Sequence, residues 1–474
     1  MNKEDIYYQA MLTRDNRFDG KFYVGVKTTG IYCRPICPAK PKRENVEFFT
    51  SSLAAEKAGY RPCLRCRPES APGSPVWIGK SAMVNRAIKM IQLQETLRFD
   101  ENEFAALFGV SARHLRRVFT DEIGKTPKQL AFDNRLNLAR KLITETRLPL
   151  TEIAFSSGFE SIRRYNDAFR KRFKKSPSQI RRLNLKKDSA LVLSLAYRPP
   201  YDYQGLLSFY KAHQVGLLER FEDDKMVRII EFDGKVGEVI ISNNEATHSL
   251  KVEIDFPDSS YIHSILGRVR AMFDLDSDPL IISNALESDP SIKKIIKKHP
   301  GLRLPSGWDG FETAVCAILG QFVSVEFGRA LVNDLIHSLG EDSGRKHEGQ
   351  SIKLFPSPEV IAKSNLNGVR TTKARKETLK TFCKALLSGD LSLELTQDSE
   401  EFIRNLEKVK GIGPWTSNYM ALKVLRHTDA FPATDLIIAR ALKKHSIEGI
   451  NKMAPWRGYV TTLLWKEYAK RIIK

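Results

Sequence analysis

The stretch "GIYCRPICPAK" (residues 30–40) sets two cysteines four positions apart, and "RPCLRCRPE" (residues 61–69) sets two more three positions apart. Together they hold four of the six cysteines in a chain of 474 residues. Cys33, Cys37, Cys63 and Cys66 read as C-x3-C followed by C-x2-C, and each half-site is short enough for one turn to present two sulfurs to one ion. Four thiolates satisfy tetrahedral zinc at Zn–S distances of about 2.3 Å. On spacing alone the first reading is a structural zinc knuckle that holds together a domain too small to be stable otherwise, with a reactive thiolate as the alternative.

The rest of the chain sets the context. No run approaches the roughly 18 consecutive apolar residues of a membrane-spanning helix, and "MNKEDIYYQAMLTRDNRF" lacks the apolar core of a signal peptide. The expectation is a soluble, cytoplasmic protein in a reducing compartment, where clustered cysteines bind metal or do thiol chemistry. The formal net charge is +20, unevenly spread: residues 1–200 carry 38 Lys and Arg against 20 Asp and Glu, the remainder 38 against 36. So basic a first part predicts a polyanionic partner, most simply nucleic acid.

Composition and periodicity divide the chain further. Residues 1–75 hold the clustered cysteines and end in the linker-like "RPESAPGSP". Residues 80–185 are amphipathic helical patterns rich in Arg and Lys. Within 190–284, "ALVLSLAYRPPYDY" and "MVRIIEFDGKVGEVIISNN" alternate apolar and polar residues around turn signals, as strands and hairpins do. Over 285–474 helical periodicity returns with few strand signals. The expected class is α+β multidomain: a small zinc-binding α/β domain, an all-α double helix-turn-helix domain, a β lobe, and a helical C-terminal domain.

Two helix-turn-helix patterns lie in the basic helical stretch. "ENEFAALFGVSARHLRRVFTDEIG" has its turn at Gly109–Val110–Ser111, with Ser111 able to cap the second helix, and "LTEIAFSSGFESIRRYNDAFRKRFKKSP" turns at Gly158–Phe159. Leu115, Val118, Phe119, Tyr165, Phe169 and Phe173 fall at core spacing. Arg113, His114, Arg116 and Arg117, and Ser161, Arg163, Arg164 and Asn166, lie on the other face, suited to a major groove. A solvated charged face is the plainer alternative.

"FYVGVKTTGIYCRPICPAKPKRENVEFF" followed by "EKAGYRPCLRCRPE" resembles, over roughly residues 5–70, the N-terminal domain of the Ada family of DNA alkylation-response proteins. The resemblance implies one zinc ion on the four cysteines and a reactive site, in which Cys33 takes a methyl group from a methylated DNA phosphate and becomes S-methylcysteine. A metal-held thiolate is the nucleophile such a step needs. Methylating one sulfur also removes negative charge near DNA, which implies a switch to tighter binding and a transcriptional signal. Thr29, Lys40 and Arg61 match positions that approach the phosphate backbone. "GFESIRRYNDAFRKRFKKSPSQIRR" closes a stretch of about 100 residues that resembles the AraC family of transcription regulators, implying promoter DNA and RNA polymerase as partners.

"GLRLPSGWDGFETAVCAILGQFVSV", "LEKVKGIGPWTSNYMALKVL" and "DAFPATDLIIARAL", with "YRPPYDYQGLLSFYKAH" and "APWRGYVTTLLWKEY", resemble the 3-methyladenine DNA glycosylase II (AlkA) family of helix-hairpin-helix glycosylases over about 280 residues. Asp435 then matches the catalytic aspartate. Trp415, Tyr419, Trp465 and Gln321 match base-pocket positions. Gln321 and Phe322 match residues that fill the gap left in the duplex, with Phe322 as the wedge. Gly411 and Gly413 bracket a hairpin whose backbone N–H groups suit a DNA phosphate, and a monovalent cation is implied there. Read without the resemblance, Asp435 is a helix N-cap and the aromatic residues are core.

The departures carry expectations of their own. Pro432 sits one position earlier than the family's proline, and Leu436 replaces a pocket tyrosine. Trp415 stands where lyase-competent relatives place a lysine, which predicts a monofunctional glycosylase. Cys316 and Cys383 are too few for an iron–sulfur cluster. No Pro-Cys-His-Arg stretch occurs, so the O6-methylguanine transferase half of Ada is missing. The expected protein is a nucleoid-associated bacterial monomer acting on double-stranded, alkylated DNA, with no membrane partner.

Overall fold

The computed structural model describes residues 3–15, 18–19, 21–50, 52–63, 66, 68, 82–93, 100–182, 191–394, 399–445, 447 and 449–472. Apart from Pro68, the expected linker at 67–75 lies outside the described residues. Two compact units result: residues 1–200, 243–270 and 275–278 form the first, and residues 201–242, 271–274 and 279–474 the second.

The first unit begins with helix Lys3–Leu12 beside a four-stranded sheet, in the order Val46–Phe49, Tyr23–Val26, Ile31–Cys33, Arg61–Pro62. Its core is small and aromatic. Tyr7 and Phe22 stack at 4.1 Å, with Phe18 and Phe48 edge-on, among buried Ala10, Met11, Val24 and Val46. The last strand pair is parallel, with Ile31 opposite Arg61 and Tyr32 opposite Pro62, so the two cysteine half-sites leave the sheet side by side.

The helical part of this unit follows its capping signals. Ser111 accepts a hydrogen bond from the His114 N–H at the start of Ala112–Ile123, and Ser161 does the same for the Arg164 N–H at the start of Ile162–Phe173. Between them Thr126 and Gln129 form a capping box, with Pro127 in the first turn, that starts the long helix Pro127–Glu145. Leu115, Phe119, Tyr165, Phe169 and Phe173 are buried, as their spacing predicts. Strand Leu191–Ala196, expected to open the β lobe, runs antiparallel to Ser249–Asp255. The long helix also holds it: Glu145 accepts from the Ser194 N–H at 2.8 Å and Lys141 donates to the Ser194 carbonyl, satisfying backbone groups of that strand.

The second unit holds a meander of Glu219–Glu222, Lys225–Phe232 and Lys235–Asn244, the last strand up to Ser242. Buried Arg228 pairs with Glu219 and with Glu312 of helix Gly310–Leu319 (2.6 Å), tying the meander to the helices. Burial pushes the Glu312 carboxyl up to about 7. The helices that position the site are Lys373–Ser388, Ser399–Glu407, Pro414–Lys423, Leu436–His445 and Arg457–Ile472. A hairpin of Asp342–His347 and Gln350–Lys353 interrupts this helical region. Its turn places Glu348 and Gly349 at positive φ, and its charged strands lack the apolar alternation that marks a strand in sequence.

Candidate functional site

In the first unit the ligand sulfurs of Cys33, Cys37, Cys63 and Cys66 all lie within 4.8 Å of one another. Each is brought there by backbone geometry. Cys33 ends its strand, the Cys37 N–H closes a turn on the Arg34 carbonyl at 3.1 Å, and the Cys63 N–H donates to the Tyr32 carbonyl at 3.0 Å. Hydrogen bonding from the neighbouring thiols pushes Cys33 up and holds Cys63 down, lowers Cys37 to about 7, and burial pushes Cys66 up. Four thiols so close cannot all ionise without a cation among them. The donor set therefore fits one zinc ion, held by all four sulfurs.

Arg34, to which no sequence motif assigns a role, braces this cluster. Its backbone N–H donates to Cys66 Sγ at 3.3 Å, its guanidinium donates to the Cys66 carbonyl at 3.2 Å, and Nε donates to Asp19 Oδ1 at 2.8 Å. Further links run into the helices. Tyr32 Oη donates to Glu56 Oε1 at 2.8 Å, and the same carboxylate receives both terminal nitrogens of Arg172, each at 2.7 Å. Arg140, fully buried, donates to the Cys63 carbonyl at 2.8 Å and lies over the Phe173 ring. Of the expected DNA-facing residues, Thr29 and Lys40 are exposed and Arg61 is half-buried. Arg113, Arg116, Arg163 and Arg164 are exposed, Arg116 pairing with Glu101 and Arg164 with Glu160.

In the second unit three aromatic residues gather beside a carboxylate. Trp415 and Tyr419, one turn apart on helix Pro414–Lys423, stack at 5.2 Å and 17°, and Tyr419 meets Trp465 at 5.9 Å. The Trp415 Nε1–H donates to Asp435 Oδ2 at 2.8 Å, while Asp435 Oδ1 accepts from the N–H groups of Ile437 and Ile438 at 2.9 Å each. Asp435 is thus an N-cap and a partner of the aromatic cluster at once. Leu436 beside it is 71% exposed.

The hairpin lies between Ser399–Glu407 and Pro414–Lys423. Gly411 has a φ of 96°, and a Cβ there would come within 2.0 Å of Thr378 Oγ1. Gly413 precedes Pro414 and offers no side-chain cap, so the first helical turn has no acceptor from that position. Gln321 is buried and its amide donates to the Gly411 carbonyl (3.0 Å) and Thr416 Oγ1 (2.8 Å), which fastens its loop to the hairpin. The next residue, Phe322, is fully exposed at a φ of 53°, a conformation unusual for a bulky side chain.

Lys423 is a second residue that sequence patterns do not single out. It is buried at the end of the hairpin helix, donates to the Pro305 carbonyl at 2.8 Å, and lies over Phe209, Tyr419 and Trp465 at 4.6, 6.0 and 5.8 Å. Its i+4 spacing from Tyr419 is the one signal that sequence offers. Among the described residues no helix is long and apolar enough to cross a membrane.

Residues 6–69 match the metal binding domain of Ada, residues 104–183 a helix-turn-helix domain and residues 192–309 the AlkA N-terminal domain. The "DNA-3-methyladenine glycosylase 2" of Escherichia coli is 29% identical over 279 residues, covering 57% of this chain and 96% of that protein. The "Bifunctional transcriptional activator/DNA repair enzyme Ada" of the same organism is 36% identical over 126 residues, covering 26% of this chain and 34% of that protein. A "Probable bifunctional transcriptional activator/DNA repair enzyme AlkA" of Mycobacterium tuberculosis is 34% identical over 474 residues, covering 97% of this chain and 95% of that protein. With a thiol cluster, two capped helix-turn-helix pairs and an aromatic site beside a hairpin in one sequence, the chain belongs to the AlkA-type family of bifunctional transcriptional activator/DNA repair enzymes.

Proposed function

We propose that this protein repairs alkylated DNA by two separate reactions. In the first, Cys33 Sγ attacks the methyl carbon of a DNA methylphosphotriester. The S–C bond forms as the C–O bond breaks, and the restored phosphodiester leaves with the bonding pair. Bound zinc would supply the deprotonated state of the sulfurs. The product is S-methylcysteine, so each chain acts once. Arg34 holds the Cys66 side of the cluster in register through its backbone N–H and guanidinium.

Loss of one thiolate charge weakens repulsion from DNA phosphates. Thr29, Lys40 and Arg61 then meet the backbone, while Arg113, Arg116, Arg163 and Arg164 enter successive major grooves of a promoter at which RNA polymerase is recruited.

In the second reaction the C-terminal domain hydrolyses the N-glycosidic bond of an alkylated purine. Phe322 wedges into the duplex, and the flipped base enters beside Trp415, Tyr419 and Trp465, whose faces attract a cationic purine. The base leaves with the bonding pair. Asp435 stabilises the positive charge left on the sugar and accepts a proton from the water that adds to C1′. No lysine stands at Trp415 to attack the sugar, so the product is an abasic site and the enzyme is monofunctional. Gly411 and Gly413 present N–H groups to a phosphate, with a monovalent cation at the hairpin carbonyls. Zinc is the one metal centre, without an iron–sulfur cluster, and the protein works as a cytoplasmic, nucleoid-associated monomer.

The observation that carries the second reaction is the Trp415–Asp435 hydrogen bond, which sets a carboxylate at the edge of an aromatic stack. The test is to incubate the protein with methylated duplex DNA and to record released bases and the mass of the fragment containing Cys33. Base release should disappear in Asp435→Asn with methyl transfer intact, and methyl transfer should disappear in Cys33→Ser with base release intact. Methyl gain without base release in the unaltered protein would leave a regulator, and release without methyl gain would leave a structural zinc site.

A further inference from the structure

The rings proposed to receive a cationic base already carry a cation. Lys423 Nζ lies over Tyr419 at 6.0 Å and over Trp465 at 5.8 Å, the same two rings that close the aromatic site, and over Phe209 at 4.6 Å. The residue is 3% exposed. Its ammonium donates to the Pro305 carbonyl, and among the described residues no carboxylate forms an ion pair with it. A lysine buried among rings without a counter-ion is costly to keep charged, which makes it a poor choice for packing alone.

We propose that Lys423 is a specificity-determining residue of the glycosylase site: its ammonium repels a cationic purine stacked on the same aromatic cluster, and loss of its proton removes that repulsion. The inference rests on the glycosylase reading above. It inverts the usual account of an aromatic pocket, in which ring faces alone set the preference for charged bases. Here the resident ammonium competes for the same electron-rich faces, and acceptance of the base follows the protonation state of one side chain.

The magnitude is set by distance. A base on the far face of these rings, stacked at about 3.5–4 Å from a ring whose centroid is 6.0 or 5.8 Å from Nζ, stands at most about 10 Å away, and at an effective dielectric of about 20 the repulsion of two unit charges is then worth about tenfold in binding. Burial alone pushes Lys423 down to about 7, so the change falls within the range where a DNA enzyme is assayed. The other titratable groups nearby are distinguishable. His213, stacked on Phe209 at 4.2 Å, is lowered by burial and by Lys423 itself, the Tyr419 phenol and the Cys316 thiol are pushed up by burial, and Glu312, pushed up to about 7 by burial and paired with Arg228, would keep its own inflection in Lys423→Met.

The experiment measures kcat/KM for 3-methyladenine release from methylated duplex DNA between pH 6 and 9, for the unaltered full chain, Lys423→Met and Lys423→Arg. Circular-dichroism melting checks that each variant folds. The unaltered protein should gain about tenfold across pH 7. Lys423→Met should hold the higher value throughout, and Lys423→Arg, charged at every pH, the lower one. If Lys423→Met keeps the inflection of the unaltered protein, the proposal is overturned. Lys423→Met alone decides the matter if the arginine variant does not fold. Absence of any base release by the unaltered protein would instead overturn the glycosylase reading.

Discussion

The indole N–H of Trp415 and the carboxylate of Asp435 are joined across 2.8 Å, and the other oxygen of that carboxylate is fixed by two backbone N–H groups. Asp435 therefore has little freedom to rotate. Trp415→Phe keeps an aromatic ring, smaller than the indole, and removes the donor. A hydrogen bond to a charged group contributes about 1.5–3 kcal/mol, so single-turnover base release should fall about tenfold to a hundredfold. Methyl transfer at Cys33 should be unchanged. Wild-type release rates in Trp415→Phe would remove the bond from the mechanism.

Stripping metal from the protein tests the thiol cluster separately. The core around Tyr7, Phe22 and Phe48 is small, and four crowded thiols oppose closure of the site without a cation. Chelation should release one zinc per chain, measured with a colorimetric indicator, and lower the melting temperature of the first unit. A metal-free protein that melts unchanged would contradict the assignment.

Glu56 should be the residue whose loss most disturbs the link between the cysteine strands and the helices. It accepts from Tyr32 and pairs with both terminal nitrogens of Arg172, whose side chain is 16% exposed. Glu56→Ala removes one partner of a largely buried pair and should cost about 3 kcal/mol in urea unfolding, the lower end for such a loss because both side chains keep some exposure. Adding Arg172→Ala should cost far less than its single effect, because the stranded guanidinium has gone. Additive losses would show that the two side chains act independently.

Gly411→Ala combines backbone strain with a collision on Thr378 Oγ1, and a loss of about 2–3 kcal/mol is expected together with weaker DNA binding. Thr378→Ala in the same chain relieves the collision but leaves the φ of 96°, so rescue should be partial. Complete rescue would mean the backbone conformation carries no cost.

Lys423 also affects stability. Burial holds its folded value near 7, against 10.5 for a freely solvated lysine, so unfolding takes up a proton between those limits. Its presence should make the chain more stable as pH rises from 7 to 10.5, by at most about 1.4 kcal/mol per pH unit, and this dependence should flatten once pH falls below 7. The difference in urea midpoint between the unaltered protein and Lys423→Met should follow that slope. A difference independent of pH would show that Lys423 stays charged when folded.

Local features were the ones legible from sequence. The two cysteine spacings, the cap at Ser111, and the buried aromatic positions of helices Ala112–Ile123 and Ile162–Phe173 depend on neighbours a few residues away, and each is legible, whereas Ser161, read as groove-facing, also caps its helix. What escaped depends on distant partners. Arg34 finds Asp19 15 residues back, Arg140 finds the Cys63 carbonyl 77 residues back, and Arg172 finds Glu56 116 residues back. No periodicity encodes such pairings. Gln321 has partners of the same distant kind at the site itself: its amide donates to the Gly411 carbonyl and Thr416 Oγ1, 90 and 95 residues on. The hairpin at 342–353 was missed for a different reason, since charged residues form its strands and turn chemistry alone marks it.

The buried guanidinium of Arg140, anchored on the carbonyl of Cys63 and packed on Phe173, bears on how such a chain can be recombined. Chains assembled by shuffling are often treated as beads that exchange freely. An exchange here that imported a foreign cysteine domain would have to bring a carbonyl to the same spot, or leave an interior arginine facing the wrong surface. The cysteine domain and the paired helices that follow it therefore share a buried joint, and a graft that respects it cuts after helix Ile162–Phe173 rather than before helix Ala112–Ile123.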